Sequence, residues 1–422
     1  MIIEQPDVGQ KIYKIHLKQI IRIDFLYLTI LINDVNSKNI SSQSLLRRIG
    51  MKKLLEILIV GFAYASVVVG AGNASGMEPF FYYTSFGIDG TAGVLLATML
   101  YGIVGYFVTG LGQRLQSKNY KEAAYLVGGK VVGRFVDILI IIMMLGTGII
   151  MLSGSGALFH QQYGMPLWQG SLIMTLLVIG TLMLRLRKII LVIGMITPVL
   201  IGLLSIVIYQ GLSNQTESFA ELNSYVVAVG DTLPDTLPNW WMAALNHVTM
   251  MTVAGVGMSL VIGGEEKDPK VARLGGALGG LIIGGVLTMG HFALFAQIKT
   301  IAPTVETLAQ MPSLQIMNTY APNLSPILTL VALAMIYSTA VSMFYVFISR
   351  YIPMETSKSR VVVLVTLILG YGISFVGFIQ LMGYFYPIAG YVGIVLIAMI
   401  FYGPFKIKKL EDQGSLAKVV YG

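Results

Sequence analysis

The chain contains no cysteine, so neither a disulfide nor a thiolate-held metal enters the account. Only 11% of its residues are charged, few for a soluble chain of 422 residues. It carries no HExxH pair, and His16, His160, His247 and His291 are scattered, so no helix-borne hydrolytic metal site is expected. Ser153-Gly154-Ser155 with His160 mimics a Ser/His dyad, but small residues on a core helix account for it. Nothing here suggests an enzyme. The formal charge of +8 is not gathered into a basic stripe interleaved with aromatics, which argues against nucleic acid as a partner.

What is present is apolar. Hydrophobic residues make up 55% of the chain, and the mean hydropathy is +0.77. That composition reads as an all-α polytopic membrane protein. Ten spans are predicted, at 54–86, 90–111, 132–159, 167–185, 188–211, 239–263, 275–298, 326–349, 360–377 and 380–402. Cations then fix the orientation. With Met51 inside, the cytoplasmic stretches hold Lys52 and Lys53; Arg114, Lys118, Lys121, Lys130 and Arg134; Arg185, Arg187 and Lys188; Lys267, Lys270 and Arg273; Arg350, Lys358 and Arg360; and Lys406, Lys408, Lys409 and Lys418. The outer stretches hold Lys299 alone, as the positive-inside rule requires of an even span count with both termini cytoplasmic. The expected location is a bacterial plasma membrane.

Five regions follow. Residues 1–50 are basic, and their one apolar run, 23–32, is too short to span and contains Asp24. Met51-Lys52-Lys53-Leu54 looks like a natural start, so 1–50 is expected to be an extension outside the native chain. Residues 51–211 form a first group of five spans, 212–238 an acidic outer loop, 239–405 a second group of five, and 406–422 a cytoplasmic tail. A second outer loop, 299–325, carries Pro303, Pro312 and Pro322 and could fold over the outer mouth as a lid.

The stretch Val67 to Pro79 interrupts the first span. Gly70, Gly72 and Gly76 are poor helix formers, and Asn73, Ser75 and Glu78 bring polar groups to membrane depth. Unwound backbone survives there only inside protein or along a wet cavity, so the break is a candidate binding site. Span six is expected to break as well, because Thr252, Ala254, Gly255, Gly257 and Ser259 place small residues at its middle. Interruptions at matching places in two halves point to an inverted repeat with its site at the midplane.

Val69-Gly70-Ala71-Gly72-Asn73, then Pro79-Phe80, then Gly87, Gly90 and Gly93 resemble the first two spans of LeuT-fold transporters, notably the neurotransmitter:sodium symporters. The Gly-Ala-Gly and Ala-Ser-Gly-x-Glu pattern also resembles bacterial members of the wider amino-acid/polyamine/organocation superfamily. One residue more separates Asn73 from Pro79 than in the symporters, and Glu78 stands near their gating arginine.

The resemblance implies ten helices in a 5+5 inverted repeat, with helices 1 and 6 broken. It implies a sodium ion held by backbone oxygens of Ser66 and Val69 and the hydroxyls of Ser338 and Thr339, and a weaker second sodium site at Asn73, the Val68 carbonyl and Thr252. Free N–H groups at Ala71 and Gly72 would face a substrate carboxylate, with Asn73, Glu78, Thr252, Ala254 and Gly255 completing the substrate site. Glu78 could equally cap the outer half-helix. His291 could sense protons. His247 is read as a buried, hydrogen-bonded residue. Glu56 and Asp137 are read as interfacial or paired with Lys53 and Arg134. The expected function is alternating-access transport of a small amine-containing solute, of the amino-acid class, coupled to sodium. Proton coupling, or a non-transporting receptor on the same scaffold, are the alternatives. No cofactor is expected beyond the coupling ion, and the partners are the substrate, the bilayer and, as an open alternative to a monomer, a second copy.

Overall fold

Runs of Leu, Ile, Val and Ala without water to satisfy their backbone must pair every N–H and C=O internally, and they do so as helices. The computed structural model describes residues 42–68, 71–118, 120–183, 196–352 and 356–413. The first span comprises α1 (Ser42–Val68), α2 (Ala71–Ser75) and α3 (Met77–Tyr82). A 3-10 turn at Thr84–Phe86 leads to α4 (Ile88–Leu115). α5 (Tyr120–Tyr163), α6 (Leu167–Met183) and α7 (Ile196–Ser213) follow.

After α8 (Phe219–Gly230) come α9 (Trp240–Glu265) and α10 (Pro269–Ala296). The short α11 (Ile298–Ile301) and α12 (Pro312–Tyr320) precede α13 (Ser325–Ser349), α14 (Ser357–Ser374) and α15 (Phe378–Asp412). Among the described residues six helices are long and apolar enough to cross a bilayer: α4, α5 from Ala123, α9, α10, α13 with its preceding turn, and α15. Residues 167–183 and 202–213 form shorter apolar helices.

Two groups of helices organise the molecule. α1, α4, α9 and α10 pack together, and α5, α6, α13 and α14 form a second set. α15 joins them through α9 and α5, and α7 lies against α10 and α13. The small-residue rows of α10 make the first group close. A Cβ at Gly276 would lie 2.2 Å from the Gly105 carbonyl oxygen, and one at Gly279 would lie 2.4 Å from that of Gly61. This is the small-xxx-small contact that substitutes for hydrophobic drive in lipid.

The structure corrects two expectations, the break in helix 6 and the partner of Asp137. Helix 6 is not broken: α9 is continuous from Trp240 to Glu265. Its small residues 252–259 stay helical, and beyond them Gly263 serves packing, where a Cβ would lie 2.1 Å from the Thr109 carbonyl oxygen. Asp137 pairs with Arg350, the residue that follows α13, and Tyr120 donates to it at 2.5 Å; Arg134 is exposed. Glu56 approaches Lys52 at 3.9 Å, while Lys53 reaches Asp268 at 2.8 Å. That pairing holds the Asp268 carboxyl below its ordinary range, with the backbone N–H of Lys270 assisting.

The segments 214–238 and 299–325 are held by specific bonds. Ser218 and Glu221 form a capping box on α8, and two bonds from Ser218 lower the Glu221 carboxyl from its ordinary range. Lys299 reaches Glu217 at 2.6 Å, and Tyr225 donates to the Ala302 carbonyl at 2.7 Å. Gln161 of α5 pins α12 by bonding both the N–H and the carbonyl of Met311.

Orientation is testable on this cysteine-free background. Single cysteines replacing the exposed Thr216 or Asn323 should react with an impermeant maleimide added outside intact cells, and those replacing Lys267 or Gln413 should not. The reverse labelling would invert the topology.

Candidate functional site

The break is built from small residues because the chain must turn between α2 and α3. Gly76 adopts φ +81°, a left-handed conformation that favours glycine, and a Cβ there would lie 2.5 Å from Ser313 Oγ of α12. Ser75 closes the turn: its hydroxyl donates to the Gly72 carbonyl at 2.7 Å and accepts from the Met77 N–H at 3.0 Å. The hydroxyl of Ser75 is thus an observed cap on α3, and the Glu78 side chain turns to face Gly72. A Cβ at Gly72 would lie 1.8 Å from Glu78 Oε1.

Glu78 is 3% exposed and meets His247 of α9, which is fully buried; Oε2 and Nε2 are 3.9 Å apart. On its other side, His247 Nδ1 lies 2.6 Å from the Tyr83 hydroxyl. Tyrosine rings enclose the imidazole. Tyr82 stacks on it at 4.2 Å and 18°, while Tyr101 of α4 stands edge-on at 5.9 Å and 87°. Asn246 is locked beside them, donating to the Pro387 carbonyl of α15 at 2.8 Å. Among the described residues neither Glu78 Oε2 nor His247 Nε2 has a hydrogen-bond partner, and the same holds for both polar atoms of the Asn73 amide. Asn73 borders a cavity walled by Leu204, Val207, Leu287 and Leu294. Buried polar atoms left in this state are costly, and they mark the place where a ligand or proton has most to offer.

The residues expected from the sequence fall in three places. Gly72, Asn73 and Glu78 share the break. Thr252, Ala254 and Gly255 lie further along α9 toward its C-terminal end, and the Thr252 hydroxyl donates to the Val248 carbonyl at 2.6 Å. Ser66 is exposed and bonds the Ala63 carbonyl at 2.8 Å. Ser338 is buried and bonds the Met335 carbonyl at 2.9 Å, and Thr339 is half-buried. α13 meets the break at α2, where Leu328 and Ala332 lie near Ala74 and Ser75. Val69 and Gly70 lie outside the described residues; Val68 ends α1 and Ala71 begins α2.

His291 is held differently from His247. Its Nδ1 lies 3.1 Å from Thr84 Oγ1 and its Nε2 3.0 Å from Thr91 Oγ1, so both nitrogens are engaged by neutral hydroxyls. Ser153 donates to the Ser374 carbonyl and His160 bonds the Met165 carbonyl, which removes any dyad between them. The tyrosine enclosure was not foreseen. Its signals were Tyr82-Tyr83 directly after the break and a polar Asn246-His247 pair in an apolar helix.

No family model matches the chain. It is 25% identical over 357 residues to YkvI, an uncharacterised membrane protein of Bacillus subtilis strain 168, covering 85% of this chain and 97% of that one. It is 23% identical over 364 residues to YyaD, an uncharacterised protein of the same organism, covering 85% and 98%. Among solved structures it is similar to Mhp1 in an inward-facing conformation, with a TM-score of 0.57 and 12% identity over 82% of this chain and 75% of that one. The chain therefore has a LeuT-like fold, as the resemblance in its first two spans implied.

Proposed function

We propose that the chain is a secondary transporter of a small amine-containing solute of the amino-acid class, working by alternating access across a bacterial plasma membrane. In this reading ten spans form a 5+5 inverted repeat with both termini inside. The observation that carries it is the break between α1 and α3. In a LeuT-like fold it gathers a buried carboxylate, a buried amide and Gly72 at one place, which suits a zwitterion better than an apolar guest. Glu78 would face the amine, and the N–H groups of Ala71 and Gly72 the carboxylate. Thr252, Ala254 and Gly255 would line the path along α9.

Sodium is the first coupling ion proposed, at the oxygens of Ser66, Val69, Ser338 and Thr339, with Val68 and Asn73 as a weaker second set. Oxygen ligands suit a hard cation. Proton coupling is the second reading, favoured by the approach of Glu78 to His247.

A thermal-shift panel of amino acids and amines, with and without sodium, should identify the solute, and counterflow in proteoliposomes separates a transporter from a receptor. Thr339→Ala removes one oxygen and no charge. The sodium concentration for half-maximal uptake should rise about tenfold, as for a lost ligand worth about 1.4 kcal/mol, with the maximal rate recovered at high sodium. Wild-type uptake indifferent to sodium at fixed membrane potential would remove the sodium mechanism.

A further inference from the structure

We infer that Glu78 and His247 form a single proton-binding site that reports whether the break is open or closed. The inference rests on the alternating-access reading above, because it supplies that cycle with a chemical signal. The charge count drives it. Among the described residues, no lysine or arginine is buried, and the remaining buried carboxylate, Asp137, is taken by Arg350. With both groups deprotonated the pair carries one uncompensated negative charge in a site closed to water. With one proton it is neutral overall, whether as carboxylate and imidazolium or as carboxylic acid and imidazole.

The surroundings accept either form. The titratable groups around the pair are Tyr82 from α3, Tyr83 just after it, Tyr101 from α4 and Tyr386 from α15, all neutral phenols. The Tyr83 hydroxyl donates to Nδ1 of a neutral imidazole and accepts from Nδ1–H of an imidazolium, so that bond survives protonation without movement. The faces and edges of three tyrosine rings surround the imidazole, and a ring face attracts a cation. On the other side, Nε2 and Oε2 face each other at 3.9 Å, both without a hydrogen bond among the described residues. His291, with both nitrogens on threonine hydroxyls and no carboxylate beside it, lacks this arrangement.

The two members sit on different parts of the molecule. Glu78 belongs to the half-helix that follows the break, and His247 to the continuous α9. Opening of the break separates them or admits water, and the deprotonated pair then becomes tolerable. The proton is therefore bound in the closed form and released in the open one. Linkage fixes the sign: low pH favours closure, and high pH favours opening.

The test uses the full chain in proteoliposomes, without any substrate. Ser313→Cys places a thiol on the α12 surface that covers Gly76, where it is 5% exposed as serine. Its maleimide labelling rate is divided by that of Asn323→Cys on the exposed outer surface, which cancels the pH dependence of the thiol itself. From about pH 5 to about pH 9 the ratio should rise with pH, by at most about tenfold per pH unit for one proton. Adding Glu78→Gln or His247→Gln should flatten the profile.

A flat or inverted profile in the Ser313→Cys protein overturns the proton site and requires neither of the two site variants to fold. An unchanged profile in both folded variants overturns it as well. A pH-dependent ratio in a protein that fails counterflow with every solute would instead sink the transport reading and leave the site standing.

Discussion

Replacing Gly72 with valine should abolish substrate binding while the protein remains inserted and monodisperse. The Cβ alone would lie 1.8 Å from Glu78 Oε1, 2.3 Å from its Cδ and 2.9 Å from its Cγ. The carboxylate must therefore move away from its place against Gly72. A solute whose amine depends on that carboxylate loses a charge-assisted contact, and its carboxylate meets a branched side chain where backbone N–H groups must approach. One such contact at about 2.7 kcal/mol corresponds to about a hundredfold in affinity. Gly180→Val is the matching control, because a Cβ there has nothing within 4 Å. Affinity from calorimetry or thermal shift, alongside size-exclusion profiles, decides the outcome. Wild-type affinity in Gly72→Val would remove Gly72 and the facing carboxylate from the site.

The interruption of the first helix was legible in the sequence, and the reason is physical. Lipid forbids unpaired backbone, so a run such as Val-Gly-Ala-Gly-Asn-Ala-Ser-Gly has few structural solutions at membrane depth, and a broken helix is one of them. The same rule misled at α9. Glycine in an apolar helix permits a break and also permits another backbone to approach, and the sequence contains no sign of which. α9 runs on unbroken through residues 252–259, and the close approach falls beyond them, where the Thr109 carbonyl, distant in the chain, lies against Gly263.

Partners of buried charges were illegible for a related reason. Arg134 is the local cation for Asp137, yet the bond is made by Arg350, which folding brings from the end of α13. The tyrosine enclosure of His247 likewise draws on α3 and α4, and no single segment displays it.

The seam between α4 and α10 gives the largest expected effect on stability. At Gly280 a Cβ would lie 2.1 Å from the Tyr101 carbonyl oxygen, 2.3 Å from its carbon and 2.6 Å from the Gly102 nitrogen. All three are backbone atoms of a helix, so no side chain can swing away, and the two helices must separate. Separation spreads along the seam, because Gly276 and Gly284 depend on the same approach, to Gly105 and to Thr98.

Overpacking of a tight core costs about 1–3 kcal/mol, and the upper end or beyond is expected where backbone is the obstacle. Packing is also the main force joining helices in lipid, so little compensates for the loss. Gly280→Val should therefore melt well below the wild type in detergent. Gly285→Val on the same helix, where a Cβ has nothing within 4 Å, should shift stability by no more than about 0.5 kcal/mol.

The site should feel the same change. Tyr101 donates to the His247 carbonyl at 3.4 Å and stands edge-on to its ring, so moving its backbone loosens the enclosure around the imidazole. In a Gly280→Val protein that still folds, the pH dependence of labelling at Ser313→Cys should weaken along with stability. Equal melting of the valine variants at 280 and 285 would show that the α4–α10 contact is not the tight seam described, and the position of Tyr101 would then need another support.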